Sequence, residues 1–166
     1  TLYVDADSLA VGPVAPLFPL FAGVPVGVVG GPVLGGQWFG DVAAIRARLG
    51  VAGPIPRFNG GLIYLDRSPQ AAAIFATARE LMDRYAELGF RPLRGGGPND
   101  EPVFAFALAL HGVAGVDDGG TSSYTPIGIR GPLRLDVLRG GCRFNKQGVV
   151  VEPALVHFCG WRARGF

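Results

Sequence analysis

Two aspartates near the start of the chain are the residues whose types and spacing most directly indicate metal chemistry. Asp5 and Asp7 follow the short apolar run 2–4, with one residue between them. The apolar run predicts a buried strand that stops at a polar turn, and side-chain alternation in extended backbone places both carboxylates on one side. Neighbouring carboxylates repel, and a divalent cation with oxygen ligands relieves that repulsion. An Asx turn at the strand exit explains the same pair without a metal.

His157 is a candidate third ligand because a neutral imidazole binds divalent metals. It lies in a short apolar run near the end of the sequence, where a hydrogen-bonded core histidine is the alternative interpretation. Gly160, Arg162 and Arg164 follow it. Arginines on a tail that bends at a glycine suit the charge of a metal-bound diphosphate, and a solvated terminus explains them equally well.

Two further segments carry groups that suit a sugar ligand. Asn59 and Gly60 belong to an F-N-G-G segment that leads into the predicted strand 61–65. Glycine allows a ligand to approach the backbone, and the asparagine amide both donates and accepts hydrogen bonds, although a simple turn explains the segment too. Asp100 and Glu101 open a predicted helix. Helix capping accounts for them, and a capping carboxylate can still offer a free oxygen to a hydroxyl.

Apolar periodicity and capping residues predict the elements that must position these groups. Ser68 before a proline and Gly89 after an apolar stripe mark one long helix. Helices are predicted at 41–49, 69–88 and 100–110, and the last is apolar all round and therefore buried. Strands are predicted at 2–4, 26–29, 61–65, 113–116 and 155–158, with a hairpin over 143–151. This alternation predicts an α/β domain with a mixed sheet and flanking helices.

The composition is that of a folded, loop-rich domain. The 166 residues include 27 glycines and 14 prolines, but 49% are hydrophobic and only 17% are charged, which opposes disorder. A net charge of +2 with no basic run gives no support to nucleic-acid binding. The two cysteines indicate neither a disulfide framework nor a zinc site. With no visible signal peptide and no apolar stretch long enough to span a membrane, we expect a cytoplasmic protein.

The order of these motifs resembles a known family. A strand followed by D-x-D, F-N-G-G before a strand, an acidic N-D-E at a helix start and a late H-F-x-G span Asp5 to Gly160. This order resembles that of the nucleotide-diphospho-sugar glycosyltransferases of the GT-A fold, and most closely the glycogenin-like family 8 type. The resemblance implies metal-dependent glycosyl transfer to an acceptor hydroxyl, with retention of configuration.

The resemblance also implies a role for each matched residue. Asp5, Asp7 and His157 are expected to hold Mn²⁺ or Mg²⁺. Asp100 is expected to contact the donor sugar, and Asp100 and Glu101 are the candidate catalytic residues. The expected donor-binding set is Asn59, Gly60, Gly160, Arg162 and Arg164. The implied partners are a nucleotide-diphospho-sugar, foremost a UDP-sugar, and a carbohydrate or other hydroxyl acceptor.

Three departures from the family pattern qualify this resemblance. Ala163 stands where the family usually has a lysine, between two arginines. The acidic segment has Glu101 as its second acid, whereas the family has an aspartate one place later. The nucleotide-binding half that precedes D-x-D in the family has no counterpart before Asp5. Residues 1–166 are therefore expected to form a single, N-terminally truncated catalytic domain, the C-terminal two-thirds of a GT-A fold.

Other functions also fit Asp5 and Asp7. A haloacid-dehalogenase-like phosphatase needs a later lysine followed by an acidic pair, but Lys146 is the only lysine and no such pair follows it. A PIN/NYN-type nuclease needs acids at later strand ends, for which 117–118 is the one candidate pair. A non-catalytic remnant that acts as a binding module is the third alternative.

Overall fold

The computed structural model describes residues 1–159, which form a mixed α/β fold with three separate three-stranded sheets. The strands are β1 Leu2–Val4, β2 Ser8–Ala10, β3 Val26–Val33, β4 Ile55–Leu65, β5 Ser123–Tyr124, β6 Ile129–Asp136, β7 Gly141–Lys146, β8 Val149–Val151 and β9 Leu155–His157. The α-helices are α1 Val42–Leu49, α2 Pro69–Asp83, α3 Tyr85–Leu88 and α4 Asp100–Leu110, and a 3-10 helix covers Ala15–Phe21. None of the helices in the described part of the chain is both long and apolar enough to cross a membrane.

The first sheet has the order β1-β4-β3, and both pairings are antiparallel. β3 and β4 are longer than predicted because their pairing continues through glycine and proline residues after a register shift between Val28 and Gly30. One face of the sheet packs on the 3-10 helix, where Phe21 stacks on Tyr64 with ring centroids 5.4 Å apart. β4 also packs against α4.

The prediction that β1 is a buried strand is wrong. Tyr3 and Val4 are 49% and 38% exposed, because β1 lies at the edge of its sheet and pairs with β4 alone. Its position as a strand that ends just before Asp5 is confirmed. The two aspartates therefore follow a strand that lies at an accessible edge of the sheet.

The buried helix α4 is confirmed, and it brings the acidic segment to β4. Every residue from 102 to 108 is buried, between α2 on one side and β4 on the other. The helix begins where the Asn99 carboxamide oxygen accepts a hydrogen bond from the Glu101 N–H, at 2.9 Å. Since the helix axis is fixed by the core, its first turn is held against the middle of β4.

The long predicted helix is broken near its end. Ser68 caps it and Gly89 ends it in the left-handed conformation, both as predicted, but α2 stops at Asp83 and α3 forms the last turn. The break lies at Arg84, whose N–H reaches the carbonyls of Leu81 and Met82, which tightens the helix.

The prediction of a single mixed sheet is also wrong, because the later strands form two further sheets. β9 is the centre of one, antiparallel to β2 and parallel to β5. The register of β2 places Ser8 opposite His157, so the turn after β1 returns the chain directly to the histidine. The predicted strand at 113–116 is reduced to one bridge between Val116 and Val29.

The third sheet contains the predicted hairpin, which is confirmed. β7 and β8 pair antiparallel across Gln147 and Gly148, and β6 pairs with the other edge of β7. Both loop residues have positive φ, 55° and 90°, as a two-residue hairpin turn that follows the strand twist requires.

Candidate metal centre

Asp5, Asp7 and His157 converge into one group, called here the Asp–Asp–His cluster. His157 Nε2 lies 2.9 Å from Asp7 Oδ1 and 3.3 Å from Asp5 Oδ2, and one candidate ligand atom of each residue lies within 4.8 Å of the others. Adjacent ligand atoms of an octahedral ion with bonds near 2.1 Å are about 3 Å apart, and the two distances from Nε2 to the carboxylate oxygens are comparable with this value. The cluster could hold a metal ion.

Backbone hydrogen bonds fix the turn that carries the two aspartates. The Asp5 N–H donates to the Gly61 carbonyl at 3.2 Å, and the Ser8 N–H donates to the Asp5 carbonyl at 3.0 Å. The Phe158 N–H donates to the Asp7 carbonyl at 2.9 Å, just after β9. Each ligand residue is therefore tied to a neighbouring strand.

Asn59 fixes the orientation of the His157 ring. Its side-chain oxygen accepts a hydrogen bond from the Gly61 N–H at 3.1 Å, which identifies that atom as the oxygen, and the same oxygen is in hydrogen-bond contact with His157 Nδ1. Because an amide oxygen only accepts, Nδ1 carries a proton. Nε2 is then the ring nitrogen that faces the two carboxylates, and a hydrogen bond from Nδ1 to a protein acceptor is typical of metal-bound histidines.

Gly61 makes room for the same ring. A Cβ at this position would lie 2.3 Å from His157 Nδ1 and 2.4 Å from His157 Cγ. No side chain fits between β4 and the imidazole, so the second glycine of F-N-G-G has a packing role. This role was not predicted from the sequence, although two consecutive glycines at a strand are a signal for it.

Tyr3 is a second group that the sequence analysis missed. Its hydroxyl donates a hydrogen bond to Asp5 Oδ1 at 2.7 Å, and this bond, with the nearby negative charge of Asp5, raises the pKa of Tyr3. The alternation rule applied to Asp5 and Asp7 extends one step back to Tyr3, so the sequence contained the signal.

The acidic segment lies beside the cluster. Glu101 Oε1 accepts a hydrogen bond from the Gly60 N–H at 2.7 Å, and Asp100 is exposed one residue earlier. Burial raises the pKa of Glu101, the Gly60 hydrogen bond opposes that rise, and the charges of Asp100 and Asp5 add to it. Gly60 thus contacts Glu101, and the predicted contacts of Asn59, Gly60 and Asp100 with a sugar stay predictions.

Two cavities border the segment from Phe58 to Gly60. A cavity of about 430 Å³, called here the apolar cavity, includes Asp5, Asp100 and Glu101 in its lining. A second cavity of about 480 Å³ contains Asn59 and Lys146 and shares Phe58 and Glu101 with the first. Glu101 therefore stands in a wall common to both.

Part of the predicted donor-binding set lies outside the described residues. Gly160, Arg162 and Arg164 follow residue 159, so the expected phosphate contacts stay predictions.

Comparison of the chain with protein-family models, with curated proteins and with solved structures finds no match. Any proposed function therefore rests on the sequence motifs and on the residues and geometry of the site.

Proposed function

We propose that the protein transfers a glycosyl group from a nucleotide-diphospho-sugar, foremost a UDP-sugar, to an acceptor hydroxyl, with a divalent metal and with retention of configuration. The observation that carries this proposal is the Asp–Asp–His cluster beside a cavity that Asp100 and Glu101 help to line. The GT-A-like order of the motifs adds the substrate class. A cytoplasmic location, with Cys142 and Cys159 as free thiols, belongs to the same proposal.

The ligand set suits Mn²⁺ or Mg²⁺. Carboxylate oxygens bind hard divalent ions, and one imidazole favours Mn²⁺ over Mg²⁺. When bound, such an ion supplies positive charge that offsets the charge on a departing nucleoside diphosphate. The chain's own contribution is to orient the ligands: Asn59 holds His157, and Tyr3 holds Asp5.

The acidic segment is the proposed contact for the transferred sugar. One oxygen of Glu101 is engaged by Gly60, and within the described residues the other oxygen has no hydrogen-bond partner. That oxygen and the exposed Asp100 carboxylate can accept hydrogen bonds from sugar hydroxyls. In the reaction, the acceptor oxygen bonds to the anomeric carbon while the bond from that carbon to the diphosphate oxygen breaks.

The test is calorimetric titration of the chain with UDP-glucose in Mn²⁺ and in EDTA, followed by assay of glucose release or transfer. We expect binding and turnover in Mn²⁺, none in EDTA, and loss of both in Asp7→Asn. Asp41→Asn, which changes a helix-capping aspartate away from the cluster, is the matched control and should leave both unchanged.

Other outcomes would contradict the proposal and identify a competing function. Mn²⁺-dependent hydrolysis of p-nitrophenyl phosphate without UDP-glucose turnover would indicate a phosphatase. Cleavage of single-stranded RNA or DNA would indicate a nuclease. UDP-glucose binding without transfer to any acceptor would indicate a non-catalytic binding module.

A further inference from the structure

The apolar cavity beside the Asp–Asp–His cluster has walls that differ sharply in character from its polar end. The apolar residues in its lining are Phe58, Ile63, Leu65, Phe75, Ala78, Met82, Val103 and Phe104. Its volume of about 430 Å³ lies within the range typical of small-molecule sites. Such walls favour a hydrocarbon or aromatic group, because a sugar placed there would lose its hydrogen bonds to water without replacement.

The arrangement of the helices creates this cavity. α2 packs on α4, and α4 packs on β4. Phe75, Ala78 and Met82 line the cavity from α2, and Ile63 and Leu65 line it from β4. The space is therefore a product of the core packing that also fixes the first turn of α4.

The polar groups of the cavity gather where it meets the cluster. Tyr3 and Asp5 are joined by a hydrogen bond, and Gly60 is bonded to Glu101. Asp100 completes this end, and the exposed Arg79 is the one other charged residue in the lining. A ligand that matches this distribution is apolar along most of its length and carries a hydroxyl at one end.

We propose that the acceptor is an amphipathic alcohol, whose apolar part occupies this cavity and whose hydroxyl lies at the end formed by Asp100 and Glu101. The role of the alcohol as acceptor rests on the proposed function, but the binding of an apolar alcohol in this cavity does not. In the transfer, the alcohol oxygen bonds to the anomeric carbon, the bond to the diphosphate oxygen breaks, and the alcohol proton passes to the departing diphosphate.

A small amphiphile fits the cavity better than a polypeptide segment does. An inserted peptide would bring backbone N–H and C=O groups against walls that consist of aliphatic and aromatic side chains. Those groups would stay unpaired, which is costly away from water. Occupation of the cavity by a second copy of the chain would be detected as a dependence of the amide shifts on protein concentration.

The direct test is titration of ¹⁵N-labelled full chain with 1-octanol in EDTA, monitored by amide chemical shifts. We expect saturable shifts confined to residues around the apolar cavity. Ala78→Trp, which fills the cavity from α2, should weaken octanol binding at least tenfold. Ala72→Trp, at an exposed position of the same helix, is the matched control and should bind as the parent does.

A second variant keeps the test decisive if Ala78→Trp does not fold. Met82→Glu places a charge in the same wall from a partly buried position, and circular dichroism checks that it folds. Absence of saturable shifts, or equal octanol affinity in a folded cavity variant, would overturn the proposal. Shifts that depend on protein concentration rather than on octanol would show that a second chain covers the cavity, which would also overturn it.

A product assay separates this inference from the proposed function. With UDP-glucose and Mn²⁺, we expect octyl glucoside to form faster than glucosyl glycerol. Faster transfer to glycerol would overturn the acceptor class while the transferase function stands. Octanol binding without turnover of UDP-glucose to any acceptor would contradict the proposed function while the apolar binding site stands.

Discussion

At the scale of single residues, the cluster depends on a histidine that is held from both sides. His157 is almost fully buried, with Nδ1 on the Asn59 carboxamide and Nε2 facing Asp5 and Asp7. The motif order, through its resemblance to the GT-A enzymes, selected the three candidate ligands and predicted that they lie together. It could not predict the Asn59 contact, because that contact joins residues 98 positions apart and arises only when β9 folds beside β4.

Replacing Asn59 should weaken metal binding although Asn59 is not a candidate ligand. Asn59→Ala removes the acceptor that keeps the proton on Nδ1, and loss of such a positioning partner typically costs 10- to 100-fold in affinity. We expect a loss of about tenfold or more for Mn²⁺, measured by calorimetry. Asn145→Ala, which removes a turn-forming amide bonded to Gly148, is the matched control. An unchanged affinity in Asn59→Ala would contradict the positioning role.

Glu101 should give stability a distinct pH dependence. Its pKa is raised in the folded chain, chiefly by burial, so folding favours the protonated form. Its contribution is therefore full below the usual pKa of 4.5 and is lost as the pH rises through the folded-state value. Glu101→Gln stays neutral throughout and can still accept from Gly60.

Urea unfolding in EDTA at a series of pH values measures this effect. We expect the free energy of unfolding of the parent, relative to Glu101→Gln, to be highest below pH 4.5 and to decrease above it. If the free energy of unfolding of the parent relative to Glu101→Gln increased with pH, folding would instead stabilise the ionised form of Glu101.

At the scale of elements, local sequence signals predicted the helices better than the strands. Caps and apolar stripes gave the ends of α1 and α4, because those signals lie within one turn of the positions they fix. The start of β4 was missed, since its pairing with β3 runs through residues that disfavour strands. The three-residue strand β2 has no local signal and forms only because β9 offers it a partner.

The approach of β4 to β9 requires a glycine at position 61. Gly61→Ala places a methyl group 2.3 Å from His157 Nδ1, so the ring or the strand must shift. We expect weaker Mn²⁺ binding and a loss of about 1–3 kcal/mol in the free energy of unfolding. Gly31→Ala is the matched control in the neighbouring strand, where a Cβ would meet nothing within 4 Å. Equal effects of the two changes would contradict the close-packing explanation.

The burial of α4 predicts a large effect of truncation within residues 102–108 and a small one at the exposed end of the helix. Leu108 is fully buried, so Leu108→Ala should lower the free energy of unfolding by about 2–5 kcal/mol. Leu110, two residues later, is 41% exposed, and Leu110→Ala should cost much less. Chemical denaturation of both variants measures the difference, and similar losses would show that α4 is not the buried helix described above.

At the scale of the whole molecule, the class of fold was predictable and the arrangement of its sheets was not. Alternating helices and strands indicated α/β, which is confirmed in that general sense. The chain divides its strands among three small sheets, because β2, β5 and β9 pair with each other and β6–β8 form their own hairpin sheet. Such a division depends on long-range pairing, which sequence periodicity does not encode.

The site depends on this division. The first sheet supplies Asn59 and Gly61 and leads into the turn with Asp5 and Asp7, and the second supplies His157. Folding of the two sheets against each other therefore assembles the Asp–Asp–His cluster, and a bound cation should in turn stabilise their contact.

The most direct test of this account is calorimetric titration of Mn²⁺ into the chain and into Asp7→Asn. We predict one Mn²⁺ bound per parent chain and an affinity at least about tenfold weaker in the variant, because the variant loses an anionic ligand oxygen. Saturable binding of equal strength in both proteins, or no binding to the parent chain, would contradict the assignment of Asp5, Asp7 and His157 as a metal centre.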